Sequence, residues 1–302
     1  MSSKLTVVRP MVVTDAMLVS SDVPETDYAA WSNATTYALG DRVILTSTHK
    51  VYESLQAGNL DKNPVTEPTW WIEVSATNRW KVFDLSVTTQ TAQANSFTYT
   101  LRPGVAVTAF AALNVTNATS MRVRVVDPVY GTVYDKTATF VPLPTAPDWW
   151  QWFFGLKDVA TISTFNDLPS FYEADIIVDF AGGTDLAVGV LLFGQARTIG
   201  LGVEVGARTG ITDYSRKETN EFGDTVLVQR AYNKRAAFDM LLTKDEVDSV
   251  SYFLTAVRAT PCLWVGSDQY ESTIVYGYYK TFDITISYPT FSDCSLELEG
   301  LT

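Results

Sequence analysis

Four aromatic side chains carry the most suggestive chemistry in this chain: Tyr37, Tyr52, Trp70 and Trp71. They fall inside one 44-residue stretch, Trp31 to Val74, together with Gly40-Asp41, Val43 and Pro64. Flat ring faces of this kind stack on apolar and sugar-ring surfaces, which makes these four the candidate carbohydrate-binding residues. Histidine chemistry is thin. His49 is the single histidine, at a strand or hairpin tip beside Lys50, with no acid or nucleophile near it in sequence. One histidine cannot build a His-rich metal site, and a loop setting disfavours a catalytic triad. Asp175 and Asp179 flank apolar strand residues, and Glu218, Glu221 and Asp224 cluster in a loop; acids are mostly solvated, so these read as strand-edge and loop charges. Cys262 and Cys294 lack metal-ligand spacing and read as buried free thiols rather than a disulfide. GxSxG, HExxH, P-loop and GxGxxG signatures are absent, and Gly200–Gly206 reads as strand and turn. The expectation is a non-enzyme with no catalytic residue, no metal and no cofactor.

The composition narrows the partners. The chain has 302 residues, 46% hydrophobic and 13% aromatic, with a formal net charge of −12. That acidity argues against nucleic acid and anionic membrane surfaces, which select clustered Lys and Arg. No apolar run approaches the roughly 20 residues of a membrane span, so no membrane insertion is expected. The N-terminal stretch, broken by Pro10 and Asp15, lacks the apolar core of a signal peptide. Asn33, Asn114 and Asn117 then read as chance sequons.

The elements that must position the candidate residues are mostly strands. Residues 1–28 read as an N-terminal arm. Residues 29–76 form a small aromatic β-module with strands near Arg42–Thr46 and Val51–Leu55. Residues 77–194 read as a β-sandwich, with strands at Ser96–Leu101, Ala106–Leu113, Met121–Val126 and Asp175–Phe180; Met121, Val123 and Val125 share one face. Residues 195–302 give strands at Gly202–Ala207, Thr225–Tyr232, Lys234–Leu242, Cys262–Val265, Thr273–Tyr279, Phe282–Tyr288 and Ser295–Leu298. Their single helix, 244–257, starts at a Thr243/Glu246 capping box, buries Val247, Val250, Phe253, Leu254 and Val257, and stops before Pro261. The fold class is mainly β, with one helix in a C-terminal α+β domain.

Residues Trp149, Trp150, Trp152, Phe153 and Phe154 put five aromatics into six positions. Core packing, a protein–protein anchor and a ligand site all suit such density. As an oligomer or partner interface it pairs with the Asp213–Asp224 loop as a second patch. The arm Met1–Val13 reads as a strand donor to a neighbour's sheet edge.

Three parts of the chain resemble known families. Ala30-Trp31, Tyr37, Gly40-Asp41-Arg42-Val43, Tyr52-Glu53 and Trp70-Trp71 are similar to the small chitin- and cellulose-binding modules of bacterial chitinases. Ser54-Leu55-Gln56 stands where many of those modules carry a surface Trp pair, so the resemblance implies a depleted platform, with Trp31 and one of Trp70 and Trp71 in the core and the other Trp, with Tyr37 or Tyr52, left to stack. TNRWKVFD, Thr77–Asp84, resembles a phrase in bacteriophage tail proteins that opens a jelly-roll-like sandwich. Thr225–Leu242, helix 244–257, Pro261-Cys262-Leu263-Trp264-Val265, Val275-Tyr276-Gly277 and Cys294–Leu301 resemble the ring domain of distal tail and minor tail proteins of long-tailed phages. These resemblances imply a virion structural protein of the tail tip, made in the host cytoplasm without a signal peptide. Its implied partners are itself, as a trimer or hexamer ring, other tail proteins, and host surface polysaccharide. The alternative is a lectin-like carbohydrate-binding protein.

Overall fold

A computed structural model describes residues 4–140, 149–154, 159–204, 206–219, 224–267, 270–286 and 288–301, apart from the side chains of Gln151, Trp152 and Thr219. The protein is mainly β, with a ten-residue helix, Val247–Ala256, in its C-terminal part. A six-residue helical turn, Trp149–Phe154, is the other α segment among the described residues. The chain makes two compact units. One gathers Met1–Met11, Val107–Phe110 and Phe193–Thr302; the other gathers Val12–Ala106 and Ala111–Leu192. The boundaries read from sequence (28/29, 76/77 and 194/195) divide it otherwise.

In the first unit the strand order is 194–199, Leu5–Pro10, Cys262–Val265, Ile274–Thr285, Phe291–Gly300, Tyr232–Thr243 and Arg208–Asp213. The expected N-terminal arm is therefore an interior strand. Leu5–Pro10 pairs with 194–199 on one edge and with 263–265 on the other, and Leu5 and Val7 are fully buried. With both edges paired it has no edge left to donate to a neighbour. Past Ile199 the chain turns at Gly200, whose φ of +71° suits a residue without a side chain. Val203 then bridges Met240, and Arg208–Asp213 pairs with the same strand as Met240. One continuous stretch thus hydrogen-bonds both ends of the sheet and curls it around a core of Phe238, Met240, Trp264, Val275, Leu296 and Leu298. The helix covers this core with Val250, Leu254 and Val257, the expected face. It starts later than expected, at Val247: the Thr243 hydroxyl donates to the Glu246 carboxylate (3.0 Å) rather than capping a helix N–H.

The second unit contains two sheet regions. Residues Arg42–Leu45, Lys50–Ser54 and Trp71–Ala76 form a three-stranded antiparallel module. Elsewhere Ser96–Leu101 pairs with 176–181, and Gly131–Thr139 pairs with 120–127. Met121, Val123 and Val125 are buried on one face, as their alternation requires. Two strands expected as separate, 106–113 and 121–126, are one, Ala109–Asp127. Asn114 and Asn117 lie within it at φ +52° and +53°, left-handed positions that Asn tolerates and that kink the strand without ending it. Asp175–Ile199 is likewise one 25-residue strand. Two of its glycines mark close approaches: a Cβ at Gly182 would overlap the Asn117 carbonyl oxygen, and one at Gly189 would lie 2.9 Å from the Asn114 Cβ.

Candidate functional site

The 29–76 module has few large residues with which to exclude water, so its aromatics go inward. Tyr37, Tyr52 and Trp71 are 8%, 7% and 2% exposed and form one cluster with Val43. Trp71 meets Tyr37 edge-on at 5.1 Å and donates its indole N–H to the Lys62 carbonyl (2.8 Å). Three of the four expected sugar-stacking rings therefore hold the module together and offer no free face. Trp70 is half-buried against the same cluster, with the Lys62 ammonium 5.6 Å from its ring centre. The tight turn Ala38–Asp41, closed by the Asp41 carboxylate accepting from the Ala38 N–H (2.7 Å) with Gly40 at φ +86°, places the first strand beside the second.

His49 has no partner near it in sequence, but the fold brings several. Its Nδ1 lies 2.9 Å from Glu25 Oε1, its Nε2 is 3.5 Å from Asp15, and its ring stacks on Trp80 at 4.1 Å. Glu25 also accepts from the Thr77 hydroxyl (2.8 Å) and faces Arg79 (3.8 Å). His49 holds φ at +56°, and its carbonyl accepts from the Thr77 N–H. His49, Asp15 and Trp80 border a cleft of about 540 Å³ that also includes Asp84, whose carboxyl is pushed up by burial against the hydrogen bond from Thr89. Both ring nitrogens face carboxylates, so the imidazole ties the hairpin tip to residues 15–25 and 77–80. The contacts come from 24 and more residues away along the chain, a separation that leaves no local sequence signal.

The expected carboxylate candidates are engaged. Asp175 takes a bidentate Arg102 (2.7 and 2.9 Å), and Asp179 takes Arg124 (2.7 Å) and the Thr98 hydroxyl (2.9 Å). Glu218 faces Arg216 at 3.8 Å, while Glu221 lies outside the described residues. Among the described residues no group of three His, Cys, Asp or Glu side chains is placed to hold a metal ion. None of the described helices is long and apolar enough to cross a membrane.

Two expected interface segments carry solvent-facing apolar side chains. On the turn Trp149–Phe154, Trp149, Trp150, Phe153 and Phe154 are 79%, 71%, 67% and 70% exposed; the Trp152 side chain lies outside the described residues. The Asp213–Asp224 patch is part of a hairpin, Arg216–Thr219 paired with Thr225–Val228, with residues 220–223 outside the described set. Its apolar residues Val226, Leu227 and Val228 face solvent beside Arg216, Lys217 and Glu218.

Cys262 and Cys294 are free and buried, and burial pushes each thiol up to about 11. Both are therefore expected to resist an aromatic disulfide reagent at pH 8 until denaturant is added. A raised folded-state value means their contribution is intact below about pH 8.5 and is lost as pH climbs towards 11. Rapid labelling of the native protein would contradict this burial. No family model matches the chain, and no curated protein matches it in sequence.

Proposed function

We propose that this chain is a structural subunit of a phage tail tip, a distal-tail-like ring component that acts by assembly rather than catalysis. The reading starts from the resemblance of residues 195–302 to tail-ring domains. The observation that carries it furthest is the hairpin Arg216–Val228. A two-stranded ribbon with no face on a core is marginal in water, and here every described side chain on it is exposed, three of them adjacent and apolar. Such a ribbon gains its stabilisation from a second surface. A head-to-tail contact between copies, closing by rotation, supplies one without symmetry at the patch itself. Its location in the virion, and other tail proteins as neighbours, belong to the same proposal.

Oligomer mass tests it. The wild-type protein should associate into a discrete closed species, a trimer or hexamer, as concentration rises. Val226→Asp with Leu227→Asp should leave a folded monomer and weaken association by about tenfold or more, as expected for losing two apolar contacts of about 1 kcal/mol each. A variant that assembles like wild type would remove the hairpin from the interface.

A second reading, recognition of host surface polysaccharide by residues 29–76, keeps Trp70 as the one expected ring outside the core. It requires measurable glycan affinity that Trp70→Ala abolishes while the module stays folded.

A further inference from the structure

The geometry points to the turn Trp149–Phe154 as a seat in a lipid surface: it lodges in the headgroup layer of a zwitterionic bilayer without crossing it. The inference is independent of the ring reading. It begins with the rings themselves. Four large aromatic side chains are more than two-thirds exposed, and among the described residues they contact one another: Trp149 on Phe153 at 6.3 Å, Trp150 on Phe154 at 4.4 Å and Phe153 on Phe154 at 6.4 Å. An aromatic cluster so exposed is normally an interaction site.

Several features select lipid over a protein groove. A helix that binds a groove keeps one apolar stripe and a polar back, whereas here five of six positions are aromatic and only Gln151 is polar. A fluid interface covers such a turn on all sides. Trp and aromatic rings in general favour the bilayer–water boundary, where an apolar body and a polar edge are both accommodated. At 1.5 Å per residue the turn is about 9 Å long. That falls far short of the ~30 Å hydrocarbon core, so the turn can lie only in the interface, whose apolar burial is roughly 5–10 Å deep. The exposed rings amount to on the order of 400–700 Å², less than the ~800 Å² per partner of a standard protein interface. Charge sets the lipid class. The turn carries no ionised side chain and the chain is −12 overall, so an anionic surface repels it while a zwitterionic one does not. The absence of a long apolar run excluded spanning; it has no bearing on this shallow seat.

The test uses the full chain with phosphatidylcholine vesicles, with and without added phosphatidylserine, read by co-sedimentation and by quenching of tryptophan emission with shallow brominated acyl chains. Wild type should sediment with phosphatidylcholine, show quenching, and bind less as phosphatidylserine is added. The combined variant Trp149→Ser, Trp150→Ser, Phe153→Ser and Phe154→Ser should bind about tenfold or more weakly with an unchanged thermal unfolding midpoint. Three outcomes overturn the inference: wild type remaining in the supernatant with every vesicle, the variant binding as well as wild type, or the substitutions dissolving an oligomer while neither protein touches lipid. The last would make the turn a protein contact.

Discussion

Trp71→Ala should unfold the three-stranded module, at a cost of about 3–5 kcal/mol, while strands elsewhere in the chain keep their protection. Trp71 is 2% exposed and sits at the centre of a core whose other buried members are Tyr37, Val43 and Tyr52. Removing the indole opens a void that three small strands cannot close, and it strips the Lys62 carbonyl of its donor. Trp70→Ala is the matched control. Trp70 lies half-buried on the rim of the same core, and its loss should cost about 1–1.5 kcal/mol. Amide hydrogen exchange of residues 42–54 in the two variants separates them. Equal protection in both would show that the neighbouring tryptophans share the core role.

Gly277→Ala should destabilise the first unit by about 3 kcal/mol or more. Gly277 pairs with Cys262 on one side and Gly300 on the other. Its backbone is not in the left-handed region, so the cost comes from contact. A methyl there would overlap the Glu299 carbonyl oxygen and stand 2.6 Å from the Gly300 Cα. Both obstacles are backbone, and the Trp264 indole N–H, donating to the Gly277 carbonyl at 3.1 Å, holds the strand from the other side. Gly183→Ala is the comparison, because a Cβ at Gly183 meets nothing within 4 Å and an alanine there lowers unfolded-chain entropy. Urea midpoints, with exchange in 291–300 as the local probe, should fall sharply for the first and stay level or rise for the second. Coincident midpoints would contradict the close strand approach.

Strand alternation was legible wherever one face is buried. Met121, Val123 and Val125 declared their face, Cys262–Val265 and Ser96–Leu101 have the bounds read from sequence, and Val250, Leu254 and Val257 fixed the helix orientation. Glycine and asparagine were the misleading signals. The strand read as Asp175–Phe180 runs on through Gly182 and Gly189 to Ile199, because a missing side chain there admits a close neighbour instead of reversing the chain. Asn114 and Asn117 split one strand into two for a related reason, since left-handed residues serve bulges as well as turns. Leu5–Pro10 looked like an arm because both of its partners lie at least 180 positions away, beyond any local pattern. The burial of Tyr37, Tyr52 and Trp71 is a matter of size. In so small a module the rings needed to exclude water are the same rings that would otherwise meet a ligand, and three of them are spent inside.

The pairing of Leu5–Pro10 with residues 194–199 and 263–265 also sets a timetable. The strand is synthesised before either partner, and its second partner follows about 255 residues later, roughly ten to fifty seconds at ~5–20 residues per second. Throughout that interval Leu5, Val7 and Val8 are an apolar stretch with no sheet to enter, while Val12–Ala106 and then Ala111–Leu192 can condense beside it. The unit that contains Leu5–Pro10 is therefore the last to close, and a nascent chain halted before Val265 would hold that strand open to a chaperone.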